Sequence, residues 1–238
     1  MTLDRLQAHY GFTRMPFGKA LAPGMLHRHS AHAEAVARIS WCITERALGV
    51  VTGEVGAGKT VAVRAALAAL DTSRHTTIYL GNPAVGGRGL YGGIVTALGG
   101  IPRFHKAALI PQTADLLAAE EHERGRTVVL VLDEAHLLHQ DTLDHLHILL
   151  NFDWDSRPLL SLVLVGLPEL RDRLLLRRNR SLLSRIHHRL SLAPCTSADT
   201  AEYLRQRLRR MGCDKELFTP EAVTLLHETT KNTLREVD

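Results

Sequence analysis

Cysteine is scarce in this chain of 238 residues, with Cys42, Cys195 and Cys213 as its only three. An odd, widely spaced set supplies neither a disulfide framework nor a zinc site, and it suits reduced, structural thiols. No apolar run approaches the ~20 residues that span a bilayer, and Met1-Thr2-Leu3-Asp4-Arg5 has no signal-peptide core, so the expected location is the cytoplasm. Lysine is also rare: arginine carries almost all of the positive charge behind the net +4. That balance permits a nucleic-acid partner without requiring one, since arginine also serves ion pairs and phosphate recognition. The fourteen histidines include His27-x-His29-x-x-His32 and His136-x-x-His139, but neither set has the companion Cys or carboxylates of a metal site. With 45% hydrophobic and 23% charged residues, the chain fits neither a disordered nor a fibrous class and is long enough to bury a substantial core.

What is present starts with Val50-Val51-Thr52 followed by Gly53-x-x-x-x-Gly58-Lys59-Thr60 and the helical stretch 61–70. Strand, glycine loop and helix in that order read as a phosphate-binding loop. Glycines at 53, 56 and 58 let backbone N–H groups approach anionic oxygens closely, and the helix that follows aims its positive end at the same point. The expected nucleotide contacts are Gly53, Glu54, Val55, Gly56, Ala57, Gly58, Lys59, Thr60 and Val61. Lys59 would reach the β- and γ-phosphates, and the Thr60 hydroxyl would ligate Mg2+.

A second signal is Thr127-Val128-Val129-Leu130-Val131-Leu132-Asp133-Glu134-Ala135-His136. An unbroken apolar run closed by carboxylates predicts a strand buried on both faces of a parallel sheet, with its C-terminal end at the ligand edge. Asp133 would hold Mg2+, and Glu134 would act as general base on an attacking water.

The remaining elements alternate. Ser30–Arg46 predicts a helix from apolar residues at 35, 39, 43 and 47. Thr76–Leu80 predicts a strand ended by Gly81-Asn82-Pro83, and Val85–Gly93 a mobile glycine-rich loop leading into a weak helix at 90–98. Helices are expected at Gln112–Arg124 and Asp141–Phe152, a buried strand at Leu159–Val165, one basic helix at Glu169–Arg185 and a short strand at Arg189–Leu192. Near Ala193-Pro194 the pattern changes to helices only: Ser197–Met211, then one started by Thr219 as N-cap with Pro220 after it. Another helix is due at the C-terminus, so a truncated or shortened product is expected. The fold class is therefore α/β, a P-loop NTPase with a mainly parallel sheet flanked by helices and a small helical lid. The domains are 1–40, a lead-in packing on the core and marked by Tyr10-Gly11-Phe12 and Pro16-Phe17; 41–193, the core; and 194–238, an incomplete lid.

With both motifs in place the chain resembles AAA+ ATPases of the ExeA/TniB kind, which include a type II secretion accessory ATPase and ATP-dependent transposition helpers. The likeness rests on Tyr10-Gly11-Phe12 with Pro16-Phe17, Thr52–Thr60, Leu132–His136, Leu164-Val165-Gly166-Leu167-Pro168-Glu169-Leu170, Leu183-Ser184-Arg185-Ile186 and Tyr203–Leu208. It implies that Phe17 belongs to the adenine pocket, that Arg185 is a finger reaching a neighbouring subunit's γ-phosphate, and that Arg235 is the lid's nucleotide sensor. It also implies that ATP and Mg2+ sit between subunits of a homo-oligomer. The chain departs from the family at Leu167, where Gly-Gln-Pro-Glu-Leu is usual; this removes a polar residue that positions the attacking water and predicts slow hydrolysis. The usual Gly-x-Pro before the sensor arginine is replaced by Asn232-Thr233-Leu234. Asp133-Glu134-Ala135-His136 also spells a helicase signature, but no Gln-x-x-Gly-Arg motif follows.

The first functional expectation is an oligomeric transposition helper, catalysing ATP hydrolysis, that binds double-stranded DNA and recruits or activates a transposase. Its support is the arginine-rich stretch 171–185. The alternative is an ATPase of an envelope secretion assembly complex, or an ATP-gated scaffold with little hydrolysis.

Overall fold

The computed structural model describes residues 3–17, 30–150 and 158–230. Five strands form one sheet in the order β2-β3-β4-β1-β5, and every neighbouring pair is parallel. They are β1 (Leu48–Gly53), β2 (His75–Leu80), β3 (Thr127–Leu132), β4 (Leu160–Gly166) and β5 (Ile186–Leu192). Central strands must be apolar on both faces. Accordingly β1 and β4 are buried at every position, while the edge strand β5 alternates.

The two faces differ in side-chain size. Val51, Val129, Val131, Val163 and Val165 meet α2 (Ser30–Thr44) and α3 (Lys59–Ala68) through Ala35, Ile39, Ile43, Ala62 and Ala66. On the opposite face Leu130, Leu132, Leu162 and Leu164 pack on α4 (Gly86–Ala97), α5 (Lys106–His122) and α6 (Gln140–Leu150). Valine against alanine brings the first helix layer in close; leucine against leucine and isoleucine fills the second, as interiors at crystal-like density require.

Parallel register places the C-terminal ends of β1, β4 and β3 side by side. Thr52 lies opposite Gly166, and Leu132 opposite Leu164. The glycine loop and Asp133 thus flank the end of β4.

Several expectations need correction. The glycine-rich segment is helix from Gly86 onward, despite glycine's low propensity. Tertiary fit decides this: a Cβ on Gly87 would lie 2.3 Å from the His145 ring of α6. Helix α5 starts at Lys106, ahead of Pro111, because burial of Leu109 outweighs the hydrogen bond that proline removes. The basic stretch is not one helix. It divides into α7 (Glu169–Leu175), a 3-10 turn at Arg177–Asn179 and α8 (Arg180–Leu183). Leu176 is extended at the break, and buried Asn179 donates from Nδ2 to the Arg173 carbonyl while its Oδ1 accepts from Gln140.

The lid helices are α9 (Ser197–Arg210), with a Thr196/Asp199 capping box, and α10 (Pro220–Thr229), with Thr219 as N-cap. The 40/41 boundary falls inside α2. Residues 3–17, which include α1 (Leu3–Tyr10), pack away from the sheet: Leu6, Phe12 and Phe17 join Leu208, Met211, Cys213, Leu217 and Phe218. Aromatic anchoring ties residues 3–17 to the lid, with the Phe17 and Phe218 rings 6.4 Å apart, whereas Ala35 and Ile39 seat the end of the lead-in on the core. All three cysteines are free and buried, and burial pushes the Cys42 thiol up to about 12.

Candidate nucleotide site

The glycine loop adopts the backbone its composition predicts. Gly56 (φ 79°) and Gly58 (φ 85°) are left-handed, a region an L side chain enters at a cost of about 1–2 kcal/mol. Gly58 caps α3 without a side-chain cap. The first amides of α3 therefore have no side-chain acceptor at the cap, and they point with the helix dipole toward the loop. The Lys59 ammonium donates to the carbonyls of Gly53 and Glu54, both at 2.8 Å, which holds it across the loop mouth. Ala57 is buried, whereas Glu54 and Val55 are exposed and Val61 is half-buried.

Thr60, in the first turn of α3, donates from Oγ1 to Asp133 Oδ2 at 3.1 Å. Two motifs 73 residues apart in sequence thus meet at one oxygen. Asp133 is only 6% exposed, and its Oδ1 accepts the Glu134 amide at 2.9 Å. A hydroxyl beside a buried carboxylate is the hard-oxygen donor set that Mg2+ selects.

A third residue joins them that sequence reading had counted only as part of a strand. The Tyr79 hydroxyl donates to the same Asp133 Oδ2 at 2.7 Å. Burial first, then this hydrogen bond and the Asp133 and Glu134 charges, push the phenol up to about 12, so it remains a donor at neutral pH. Its signal was positional: it is the penultimate residue of β2, opposite Val131 and so level with the end of β3.

Glu134 is left-handed (φ 52°, ψ 35°) and opens a 3-10 turn, Ala135–Leu137. A glutamate held in this region signals a constraint of structure or function. The turn is fixed by Arg173 of α7, whose guanidinium donates to the carbonyls of His136 and Leu138. The Glu134 carboxylate is about half exposed and lies 3.5 Å from His136 Nδ1, which also faces the Leu167 amide at 3.4 Å.

Other expected site residues lie apart. Arg185 donates to the Leu150 carbonyl at the end of α6 at 3.2 Å. Phe17 sits on the lid, and Arg235 lies outside the described residues.

Comparison with known proteins agrees with this arrangement: residues 43–174 match the AAA domain family. The chain belongs to that family. This AAA chain is 34% identical over 222 residues to General secretion pathway protein A of Aeromonas hydrophila, an alignment spanning 92% of the chain and 40% of the relative. Among solved structures, Cdc6p of Pyrobaculum aerophilum superposes with a TM-score of 0.68 at 18% identity, covering 90% of this chain and 58% of that one. The ADP form of the Aeropyrum pernix ORC2 protein gives 0.65 at 19%, covering 92% and 62%. At these identities the structural likeness concerns the fold. Among the described residues no helix is long and apolar enough to cross a membrane.

Proposed function

We propose that this AAA chain binds and hydrolyses ATP as the switch module of an envelope secretion assembly ATPase, working as a homo-oligomer. The observation that carries the nucleotide reading is the Thr60–Asp133 contact, which joins the phosphate loop to the strand-end carboxylate. The secretion context draws its support from the relative aligned along 92% of this chain. That support favours secretion over the transposition helper first expected from the sequence.

In this reading the loop amides from Gly53 to Val61 hold the phosphates, with Lys59 exchanging its carbonyl partners for phosphate oxygens. Thr60 and Asp133 would hold Mg2+, which when bound neutralises developing negative charge on the phosphates. Glu134 takes a proton from the attacking water, and its half-exposed carboxylate leaves room for that water. Arg185 would serve a neighbouring subunit only by leaving the Leu150 carbonyl, so the proposal makes its release part of assembly. Phe17 and Arg235 would complete the site from the lid side.

The test is phosphate release with Mg2+ and ATP by the wild type and by Glu134→Gln. Retained ATP binding with release lowered about 100-fold is expected; equal rates would remove Glu134 from the base role. The DNA-binding reading stands second because Arg171, Arg177, Arg178 and Arg180 are all exposed. Double-stranded DNA binding that weakens steeply with salt would favour it, and no binding at low salt with ATP present would eliminate it.

A further inference from the structure

Single apolar side chains on a surface need no explanation, but a pair pinned outward by backbone hydrogen bonds does. Between α4 and α5 the chain presents Ile101, 89% exposed, and Phe104, 77% exposed. A slack loop would fold such side chains back onto the body, as the hydrophobic effect favours. Here the Gln112 carboxamide prevents it, accepting the Arg103 amide at 3.0 Å and donating to the Ile101 carbonyl at 2.9 Å. Gly100 donates to the Val95 carbonyl at 2.9 Å, and Arg88 donates from Nε to the Phe104 carbonyl at 3.0 Å. Pro102 lies over Gly92, where a Cβ would come within 3.9 Å of the proline side chain. Both apolar side chains thus stand on a fixed, projecting tip.

The surroundings are cationic. No aspartate or glutamate occurs from residue 72 to residue 114. The Arg88 guanidinium lies 5.1 Å from the centre of the Phe104 ring, and Arg103 and His105 are exposed on either side of that residue in sequence. The carboxylate brought to this tip from α6, Asp141, is taken up by Lys106 at 3.3 Å and by the Gly87 amide at 3.2 Å. No side chain caps α5, so the positive end of this 17-residue helix adds to the same field. Apolar side chains at an apex with cations around them suit a lipid interface, which takes up the first and attracts the second. We propose that the tip 101–106 docks on an anionic bilayer surface, seating Ile101 and Phe104 at the acyl boundary and setting Arg88 and Arg103 against lipid phosphates.

Other occupants fit less well. Duplex DNA takes an apolar wedge only by unstacking a base step, and isoleucine offers bases no aromatic face. The exposed pair Leu175-Leu176 of a second copy is followed by Arg177 and Arg178, so like charges would meet. A protein groove needs a matching concavity, whereas acyl chains close around an apolar tip of any shape. Two inserted side chains give a weak, reversible attachment, which a homo-oligomer presenting several tips would strengthen.

The contact needs no nucleotide, so its test stands apart from the ATP reading. Co-sedimentation without ATP compares vesicles of phosphatidylcholine containing phosphatidylglycerol with vesicles of phosphatidylcholine alone. Binding to the anionic vesicles is expected to be at least about fivefold stronger and to weaken with salt. Phe104→Ser should lower partitioning about 10–100-fold, and Ile101→Ser by a similar factor. Arg103→Gln should lower it about fivefold. All three positions are exposed, so Tm and far-UV circular dichroism should match the wild type. Phe104→Trp should shift its emission to the blue on adding anionic vesicles, beyond any shift of the wild type, as the ring enters the acyl boundary.

Wild type that stays in the supernatant with anionic vesicles at low salt overturns the proposal. So does binding that Phe104→Ser and Ile101→Ser leave unchanged, which would move the contact to another basic face such as 171–180. Equal affinity for neutral vesicles removes the anionic partner, and a Phe104→Trp emission unmoved in the vesicle-bound protein removes insertion; either result overturns it. If a duplex DNA fragment binds where vesicles do not, and Phe104→Ser abolishes that binding, the tip is a nucleic-acid surface and the lipid assignment falls.

Discussion

The ends of β1 and β4 lie side by side in the sheet, and they solve the problem of meeting a phosphate in opposite ways. After β1 the backbone does the work: left-handed glycines and the first amides of α3 make a site from groups every residue carries. After β4 the backbone amide of Leu167 is directed at His136, and the side chain is apolar, so the chemistry is brought in from β3. A site made of backbone is local and leaves a spacing in the sequence. A site assembled from side chains of three segments exists only in the fold.

Lys59→Ala breaks the β1 end most severely. The ammonium is the loop's own cation and spans the carbonyls of Gly53 and Glu54. Losing a charged hydrogen-bonding group of this kind costs roughly 1.5–3 kcal/mol, or about 10–100-fold in ATP affinity. Calorimetric titration with Mg2+ and ATP would measure it. An affinity unchanged from wild type would mean that the loop does not read phosphate. Beside the β4 end Glu134→Gln is expected to spare binding, so this pair of variants tests whether the loop and the carboxylate really divide binding from turnover.

Arg173→Ala acts next, through stability. Its guanidinium satisfies two carbonyls of the turn that carries His136, and its removal should destabilise by about 1–3 kcal/mol. For a chain of this length that is a fall in Tm of roughly 2–10 °C, readable by thermal denaturation. The comparison is sharpened if turnover falls further than the population of folded protein does. A proportional fall would make Arg173 only a brace.

What was legible in the sequence follows the same division. The strand, loop and helix around Gly53–Thr60 and the buried run ending at Asp133 could be read because composition and spacing encode them. The Thr219-Pro220 start was legible for the same reason: the Thr219 side chain caps Ala222, three residues on. The helix start at Gly86 was missed because five glycines argue against it locally, and only the fit of Gly87 beneath His145 argues for it. No glycine or proline marks the break at Leu176; it depends on Asn179 reaching Gln140, 39 positions away. The packing of Phe12 and Phe17 on the lid joins the two ends of the described chain, a distance no local pattern spans.

Tyr79→Phe is the smallest change and the finest probe of the meeting point between the two ends. Asp133 Oδ2 accepts from both Thr60 and Tyr79, at 3.1 and 2.7 Å. The phenol, pushed up to about 12 chiefly by burial, keeps its proton throughout the neutral range, so it can only donate there. Each of these donors competes with a cation for the carboxylate's lone pairs, yet each also fixes the direction in which the carboxylate points. Removing one hydroxyl while keeping the ring should cost the orientation about 0.5–1.5 kcal/mol, equivalent to roughly a two- to tenfold change in the Mg2+ concentration needed for half-maximal ATP binding. A shift toward higher Mg2+ would make Tyr79 a positioning residue for Asp133. A shift toward lower Mg2+ would make it a competitor that the cation must displace. An unchanged Mg2+ requirement, with ATP binding intact, would detach β2 from the site and leave the ends of β1, β3 and β4 to act alone.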